Sequence, residues 1–587
     1  MSKQSARFTT QHRLSVLAAS VMMVIASSAM GQAKEGYLEF EGGPEWISNG
    51  AEASGGAMSG GGTITAGGGF TPRLVTSASA SVGLTFKGVS QYDLRAALGG
   101  SFIPPDTMGA IGATQFMETT NGVYAIYNKT TGAVQSMVDA RVFWAAAGMT
   151  DGSGLHGDAR ILFDKPSQKW IAVQFGGTSP TDFQSLQIAV STTSNALGPW
   201  QSTKFTGFAG GTADYPTLAI DKDAVYIGTN NFNAAGSFRG TTLNVIARSD
   251  LLGGAAPTTT SLKQFVTPYP GIFEDRGFAI QGVNSSSSTL SGNVVAASLF
   301  FNDSIRYKVN SPGTAGATEG PVTYLGLTDY AGNSLARQPD GTRNIDPLDE
   351  RIGASVWEKN GKIYAVYTAT DLGSTHTGVR WVVTDALTNA VIQQGEIGDP
   401  NYDYYEGSLA VNSAGQVVIG YNRSGFQTTD GNGDGLADGN VSFFARVFSS
   451  DSVGRLFETD ELLLHVSPIS NYRNQDSRLG PVGEPFPATG RQRWGDYSAV
   501  TLDPNDDRSF WAIGEYAEYW NNAAGCGAQG NPPGCNLGGG SSWGTWIADI
   551  NVGAAAVPEP ETYVLMIAGL LAMGATLRRR TARPSNV

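Results

Sequence analysis

Cysteine is nearly absent from this chain: Cys526 and Cys535 are its only two in 587 residues, so neither a disulfide framework nor a four-cysteine metal centre can organise it. Histidine is almost as scarce, four in all, and no H-E-x-x-H spacing occurs, which speaks against a histidine metal site or a histidine-based triad. His156, His376 and His465 stand far apart and read as structural or surface residues. Cationic side chains are outnumbered, 38 Lys and Arg against 51 Asp and Glu, for a net charge of −13. That balance excludes nucleic acid and anionic lipid as favoured partners and is compatible with bound cations. Long apolar runs and helical periods are missing from the body of the chain and occur only at its two ends.

At the N-terminus Lys3, Arg7 and Arg13 precede an apolar run from Leu14 to Ala26 and a small-residue step, Gly31-Gln32-Ala33. This is the layout of a secretory signal peptide over residues 1–33, and it predicts export. At the other end the apolar stretch Tyr563 to Leu577 has 15 residues, short of the roughly 20 that a spanning helix needs. Arg578, Arg579, Arg580 and Arg583 follow it, where the positive-inside bias would hold them in the cytoplasm. Pro558-Glu559-Pro560, a short apolar helix and an arginine cluster, in that order within 553–587, resemble the PEP-CTERM sorting signal. The resemblance implies a transient membrane anchor that an exosortase-type protease cuts near Pro558 to Pro560. It also implies delivery to the outer surface or extracellular polysaccharide, the biofilm matrix, of a Gram-negative bacterium. An ordinary C-terminal anchor is the rival reading.

With both ends set aside the net charge becomes about −18. Residues 34–81, typified by "GGAMSGGGTITAGGGFT", are rich in Gly, Ser and Ala and are expected to be flexible. From 82 to 552, short β-branched and aromatic runs alternate with Gly, Asn, Asp and Ser turns, the pattern of an all-β chain. Seven segments repeat one form: an acidic residue, a short apolar strand, a polar turn and a second strand richer in aromatics, as in "DARILFDKPSQKWIAVQF" and "DYSAVTLDPNDDRSFWAIGEY". Sheets that cannot bury both faces alone stack around an axis, so the expected fold is a seven-bladed β-propeller. Residues 82–94 would supply a strand to the last blade. The segment "SNALGPW" resembles the Asp-box turn of sialidase-like (BNR) propellers, with Asn195 in place of its Asp and Pro199 in place of its Thr. A pair of β-sandwiches is the rival fold.

In a propeller the first strand of each blade is innermost, so Asp106, Asp158, Asp214, Asp275, Glu350, Glu406 and Asp496 are expected to form a ring at one channel mouth. Such a ring raises its own pKa values unless cations compensate, and Arg160, Arg276, Arg351 and Arg493 lie within three residues of its members. It would either bind a cation or polar ligand or tie blade to blade through backbone amides. Tyr215, Tyr404, Tyr405, Trp494 and Tyr497 flank the acids and offer flat faces to a sugar, or serve as core.

A separate stretch, "DGNGDGLADGN", places Asp430, Asn432 and Asp434 before Gly435, with the Leu436 carbonyl and Asp438 beyond, as in an EF-hand-like calcium loop. Position 12 is Val441 where the bidentate Glu would stand, so dockerin or thrombospondin-type calcium loops are the nearer likeness. Cys526 and Cys535 are expected to close one disulfide. A binding or matrix module is the favoured function, with polysaccharide as partner ahead of a surface protein. The alternatives are a structural coat protein and a sialidase-like glycoside hydrolase or lyase, for which Glu515, Tyr516 and Glu518 with Arg160, Arg276 and Arg351 would supply the groups.

Overall fold

The structure is a computed structural model. It describes residues 80–553 except 99–101, 150–154, 178–182, 272–273, 328–329, 332–333, 340, 342–343, 372–373, 452, 473–491 and 521–540. The signal segment, the Gly-rich stretch up to residue 79, the two cysteines and the sorting tail lie outside the described residues. No helix among the described residues is long and apolar enough to cross a membrane.

The chain is all-β and runs as successive antiparallel meanders. The first joins Met108–Ile111, Gln115–Thr120, Val123–Asn128 and Val134–Asp139. The second joins Leu155–Asp164, Lys169–Gly177, Ser185–Ser191 and Trp200–Thr206, and the third Gly211–Asp214, Ala224–Asn233, Phe238–Ala247 and Lys263–Pro268. Phe278–Ser285, Asn293–Ala297 and Ser304–Asn310 open a ten-stranded sheet. A short parallel pairing, Val283 opposite Val356, continues it into Val356–Lys359, Lys362–Asp371, Thr377–Asp385 and Val391–Ile397. Tyr402–Val411, Val417–Gly425, Ser442–Ser450 and Leu456–Val466 form the next meander. The last contains Ala499–Leu502, Ser509–Trp520 and Ser541–Asn551.

That last meander is completed from the opposite end of the chain. Ser81–Ser90 pairs antiparallel with Ser541–Asn551, Ser81 facing Asn551, as expected for residues 82–94. The strand stops at Ser90, four residues early, because Gln91–Leu98 is a helix. Its start is fixed by a reciprocal cap: the Ser90 amide and hydroxyl donate to Asp93, and the Asp93 amide donates to the Ser90 hydroxyl.

The first strand of each meander is innermost. Met108–Ile111 packs on both Leu155–Asp164 and Ala499–Leu502, and Tyr402–Val411 packs on Lys362–Asp371 and Ala499–Leu502, so the succession closes into a propeller-like ring. Apolar clusters bridge neighbours as this packing requires. Leu162, Ile171 and Val173 meet Leu218, Ile220 and Val225 between the second and third meanders, and Val379 and Trp381 meet Leu409 and Phe448 further round. Inner strands such as Lys169–Gly177 are buried on both faces, whereas the outermost, such as Trp200–Thr206, mix half-buried and exposed positions.

Candidate functional site

Five of the seven predicted ring acids converge on the axis: Asp106, Asp158, Asp214, Glu406 and Asp496. The backbone explains how. Asp106 (φ 51°), Asp158 (φ 53°), Tyr215 (φ 53°), Ala279 (φ 49°) and Glu406 (φ 54°) all adopt the left-handed conformation within or beside an innermost strand. Pairing slips by a bulge beside three of them, between Gly157 and Arg160, Phe278 and Gln281, and Tyr405 and Ser408. A bulge bends the strand and re-aims its side chain, here toward the axis.

Two of the predicted acids, Asp275 and Glu350, do not join the ring. Asp275 precedes its left-handed residue, Ala279, by four positions and stays at the rim. Its carboxylate accepts from the Gly277 and Leu299 amides and from the Ser298 hydroxyl at 2.6 Å. Glu350 is also set apart: Asp349 and Arg351 are its charged neighbours, and burial followed by Asp349 pushes its pKa up to about 7.

The convergent acids stitch neighbouring meanders together. The Asp496 amide donates to Asp106 at 3.0 Å, and Asn121 donates to the other Asp106 oxygen while accepting from the Asp158 amide. Asp158 in turn accepts from the Tyr215 amide and from the Tyr497 hydroxyl at 3.0 Å. Three guanidinium groups stand among them. Arg351 pairs with Asp349 at 2.6 Å and lies 3.7 Å from Asp496, the same distance as Arg493 from Asp496. Arg160 donates to the Pro216 and Gly353 carbonyls and sits 3.8 Å from the centre of the Tyr497 ring. Arg276 does not join; it serves the Gly320 carbonyl, Glu274 and Glu319 at the rim.

Three acids that the ring reading did not include complete the cluster. Asp346 and Asp349 come from the loop "NIDPLDE", which carries no periodic signal. Glu515 was noticed as part of "GEYAEYW", and strand alternation decides the fate of that motif. Glu515 faces the axis, while Tyr516 packs against His465 and Trp546 and Glu518 pairs with Lys87. Neither carboxylate oxygen of buried Glu515 has a well-formed hydrogen bond.

Burial, and then mutual repulsion, raises the pKa values of six of the clustered acids. Asp106 and Asp158 lie well above the usual carboxylate range, as do Glu406, next to Asp496, and Glu515, next to Glu406. Asp214 and Asp346 are pushed up to about 6 by burial. Arg351 and Arg493 are held more firmly charged by the acids around them. The cleft beside this cluster, lined by Asp349, Arg351, Tyr367, Glu406, Asp496 and Ser498, has a cavity volume of about 20 Å³. That is room for about one water, not for a sugar ring.

The flanking aromatics are core. Tyr215, Tyr404, Tyr405, Trp494 and Tyr497 are all buried, so none offers a face to a sugar. In the calcium-like loop, Asp430 accepts from the Gly433, Asp434 and Gly435 amides, Asp434 from the Leu436 amide, and Asp438 from the Gly431 amide. The loop is exposed, and Gly433 (φ 80°) and Gly435 (φ 85°) make its turns. Among the described residues no group of three or more His, Cys, Asp or Glu is placed to hold a metal ion.

Sequence comparison settles the C-terminus. Residues 556–580 match the PEP-CTERM protein-sorting motif. This chain carries a PEP-CTERM sorting motif. With it, the protein is one exported to the cell envelope or surface and processed by an exosortase. No curated protein matches the chain. Among solved structures it is similar to a protein of unknown function from Dyadobacter fermentans (10% identity, 68% of this chain and 94% of that one, TM-score 0.32). It is also similar to the Synechocystis apocarotenoid oxygenase (10%, 61% and 72%, TM-score 0.34) and to an exo-1,5-alpha-L-arabinanase from a bovine ruminal metagenomic library (10%, 60% and 96%, TM-score 0.29). Likeness at these scores carries no inference about substrate or cofactor.

Proposed function

We propose that this exported protein is a seven-bladed propeller that acts outside the cell as a binding module for polysaccharide. Counting the ten-stranded sheet as two blades gives the number seven. The observation that carries the binding reading over the enzyme is the state of the axis. Asp106 and Asp158 are spent on backbone amides and Asp349 and Asp496 on Arg351, and the cleft beside Glu406 and Asp496 is water-sized, which leaves no space there for a glycosidic bond between two carboxylates. The sorting motif supplies the setting, the cell envelope or surface. Calcium belongs to this reading as an ordering ion of the loop 430–440, where Asp430, Asn432 and Asp434 stand on one exposed turn.

The raised pKa values of Glu406 and Glu515 are the one feature that favours a hydrolase, since a general acid must hold its proton near neutrality. One experiment separates the readings. The mature protein, purified from the producing cells with and without calcium, is incubated with their extracellular polysaccharide, and retention and new reducing ends are both recorded. Retention without new ends is expected. New ends would establish the enzyme, and neither result would leave a coat or protein-binding role.

A further inference from the structure

Exposed aromatic side chains are not spread evenly over this molecule. Among the described residues Tyr269, Phe300, Phe301, Tyr324, Phe426 and Phe457 are the exposed ones. Strand register places the first five at one end of the ring, where the innermost strands begin. Phe278 faces Ala297, and Phe300 and Phe301 follow; Tyr402 faces Gly425, and Phe426 follows; Gly240 faces Pro268, and Tyr269 follows. Phe457, opposite Ser449, is at the other end.

Three of the five form one group. Phe300 is 50% exposed, Phe301 63% and Tyr324 42%. Their centroids are 6.4 Å apart for Phe300 and Phe301 and 5.4 Å for Phe301 and Tyr324, each pair near a right angle.

The loop that presents them is fixed from beneath. Buried Asp275 accepts from the Ser298 hydroxyl, the Leu299 amide and, at 3.3 Å, the Tyr324 hydroxyl, while the Ser298 hydroxyl accepts from the Phe300 and Phe301 amides. Asp303 accepts from the Gly326 and Leu327 amides, and Asn302 donates to the Tyr330 carbonyl. Holding phenylalanines in water on an anchored loop costs hydration free energy that a disengaged side chain would avoid, and marks an interaction site.

We propose that Phe300, Phe301 and Tyr324 form a carbohydrate-contact platform for pyranose rings of a neutral or amino-sugar polysaccharide. The inference rests on the polysaccharide reading above and locates its contact surface away from the axis. Aromatic faces take the C–H faces of a sugar, and half-exposed Glu274 beside them offers a polar rim for its hydroxyls. Charge selects within the class. Glu274, Asp275, Asp303 and Glu319 surround the group, with Arg276 paired to Glu274 and Glu319, so a polyuronate is repelled and an amine attracted.

The test uses the mature protein in affinity gels containing hydroxyethylcellulose, chitosan or a polyuronate. Retardation by one of the first two is expected, with a weakening of tenfold or more in the double variant Phe300→Ala, Phe301→Ala, the loss of one to two aromatic anchors. Phe457→Ala, on the opposite end, should bind as the parent does, and unchanged melting of both variants shows that they fold. Parent-like binding by the double variant overturns the platform and leaves the polysaccharide reading standing. Preference for the polyuronate overturns the charge argument. Absence of retardation of the parent in all three gels overturns both readings.

Discussion

Glu118 is where the two ends of the propeller meet, and its removal should loosen the closure. Its side chain is fully buried on Gln115–Thr120. It accepts from the Val89 amide at 3.0 Å, the Tyr127 hydroxyl at 2.7 Å and the Thr545 hydroxyl at 2.6 Å. These donors lie on the N-terminal strand, the first meander and the C-terminal strand, so one carboxyl joins all three. The fit is close enough that a Cβ at Gly88 would come within 2.6 Å of the Glu118 carboxyl.

In Glu118→Ala the Thr545 hydroxyl keeps the Val89 carbonyl as a partner, but the Val89 amide and Tyr127 hydroxyl are orphaned. At about 1–3 kcal/mol for each buried orphan, the loss is about 4 kcal/mol. For the about 410 described residues, with unfolding entropy near 2 cal/mol/K each, the melting temperature should fall by roughly 5 °C at pH 5.

Glu118→Gln isolates the charge. Burial raises the Glu118 pKa from 4.5 to about 7. Its contribution is therefore full below pH 4.5, drains away as pH rises because the unfolded chain releases its proton first, and is gone above pH 7. The span is on the order of 3 kcal/mol. Relative to the parent, Glu118→Gln should gain that amount between pH 4.5 and pH 8, measured by thermal and urea unfolding at both ends. Melting of Glu118→Ala within 1 °C of the parent at pH 5, or a Glu118→Gln difference that ignores pH, would refute the latch.

Three further outcomes are expected. Asp106, Asp158, Glu406 and Glu515 share the sign of Glu118, since their folded pKa values are raised. Glu515→Gln should accordingly melt roughly 2 °C above the parent at pH 8 and no higher at pH 5, by scanning fluorimetry. Asp403 is fully buried and accepts from the Arg337 amide, the Arg337 guanidinium at 2.6 Å and the Thr377 amide. Arg337→Ala should cost about 3–5 kcal/mol by stranding that charge, and adding Asp403→Asn should restore more than half. Replacing Arg578, Arg579 and Arg580 with alanine should leave the tail uncut, visible by intact mass of surface protein as peptide extending beyond Pro560.

Composition and recurrence were enough to reach the all-β class, the N-terminal strand that closes the ring and the sorting tail. Those features are local or periodic: each is carried by residue order within some 25 positions, and the 3.6 and 2.0 periods cannot be confused over so many strands. The site depended on what period does not encode. Asp158 and Glu406 reach the axis because bulges turn them, whereas Asp275 misses it by four residues before Ala279. Glu515 and Tyr516 part company because neighbours on a strand face opposite ways. Burial was likewise a matter of three dimensions: Tyr215, Tyr405 and Trp494 vanish into the core, while Phe300 and Phe301, just as apolar, stand in water on a loop that Asp275 pins from upstream and Asp303 ties to Gly326. Sequence by itself determined the fold class and the address. Which acids meet, and which rings face solvent, was decided by long-range hydrogen bonds and packing between blades.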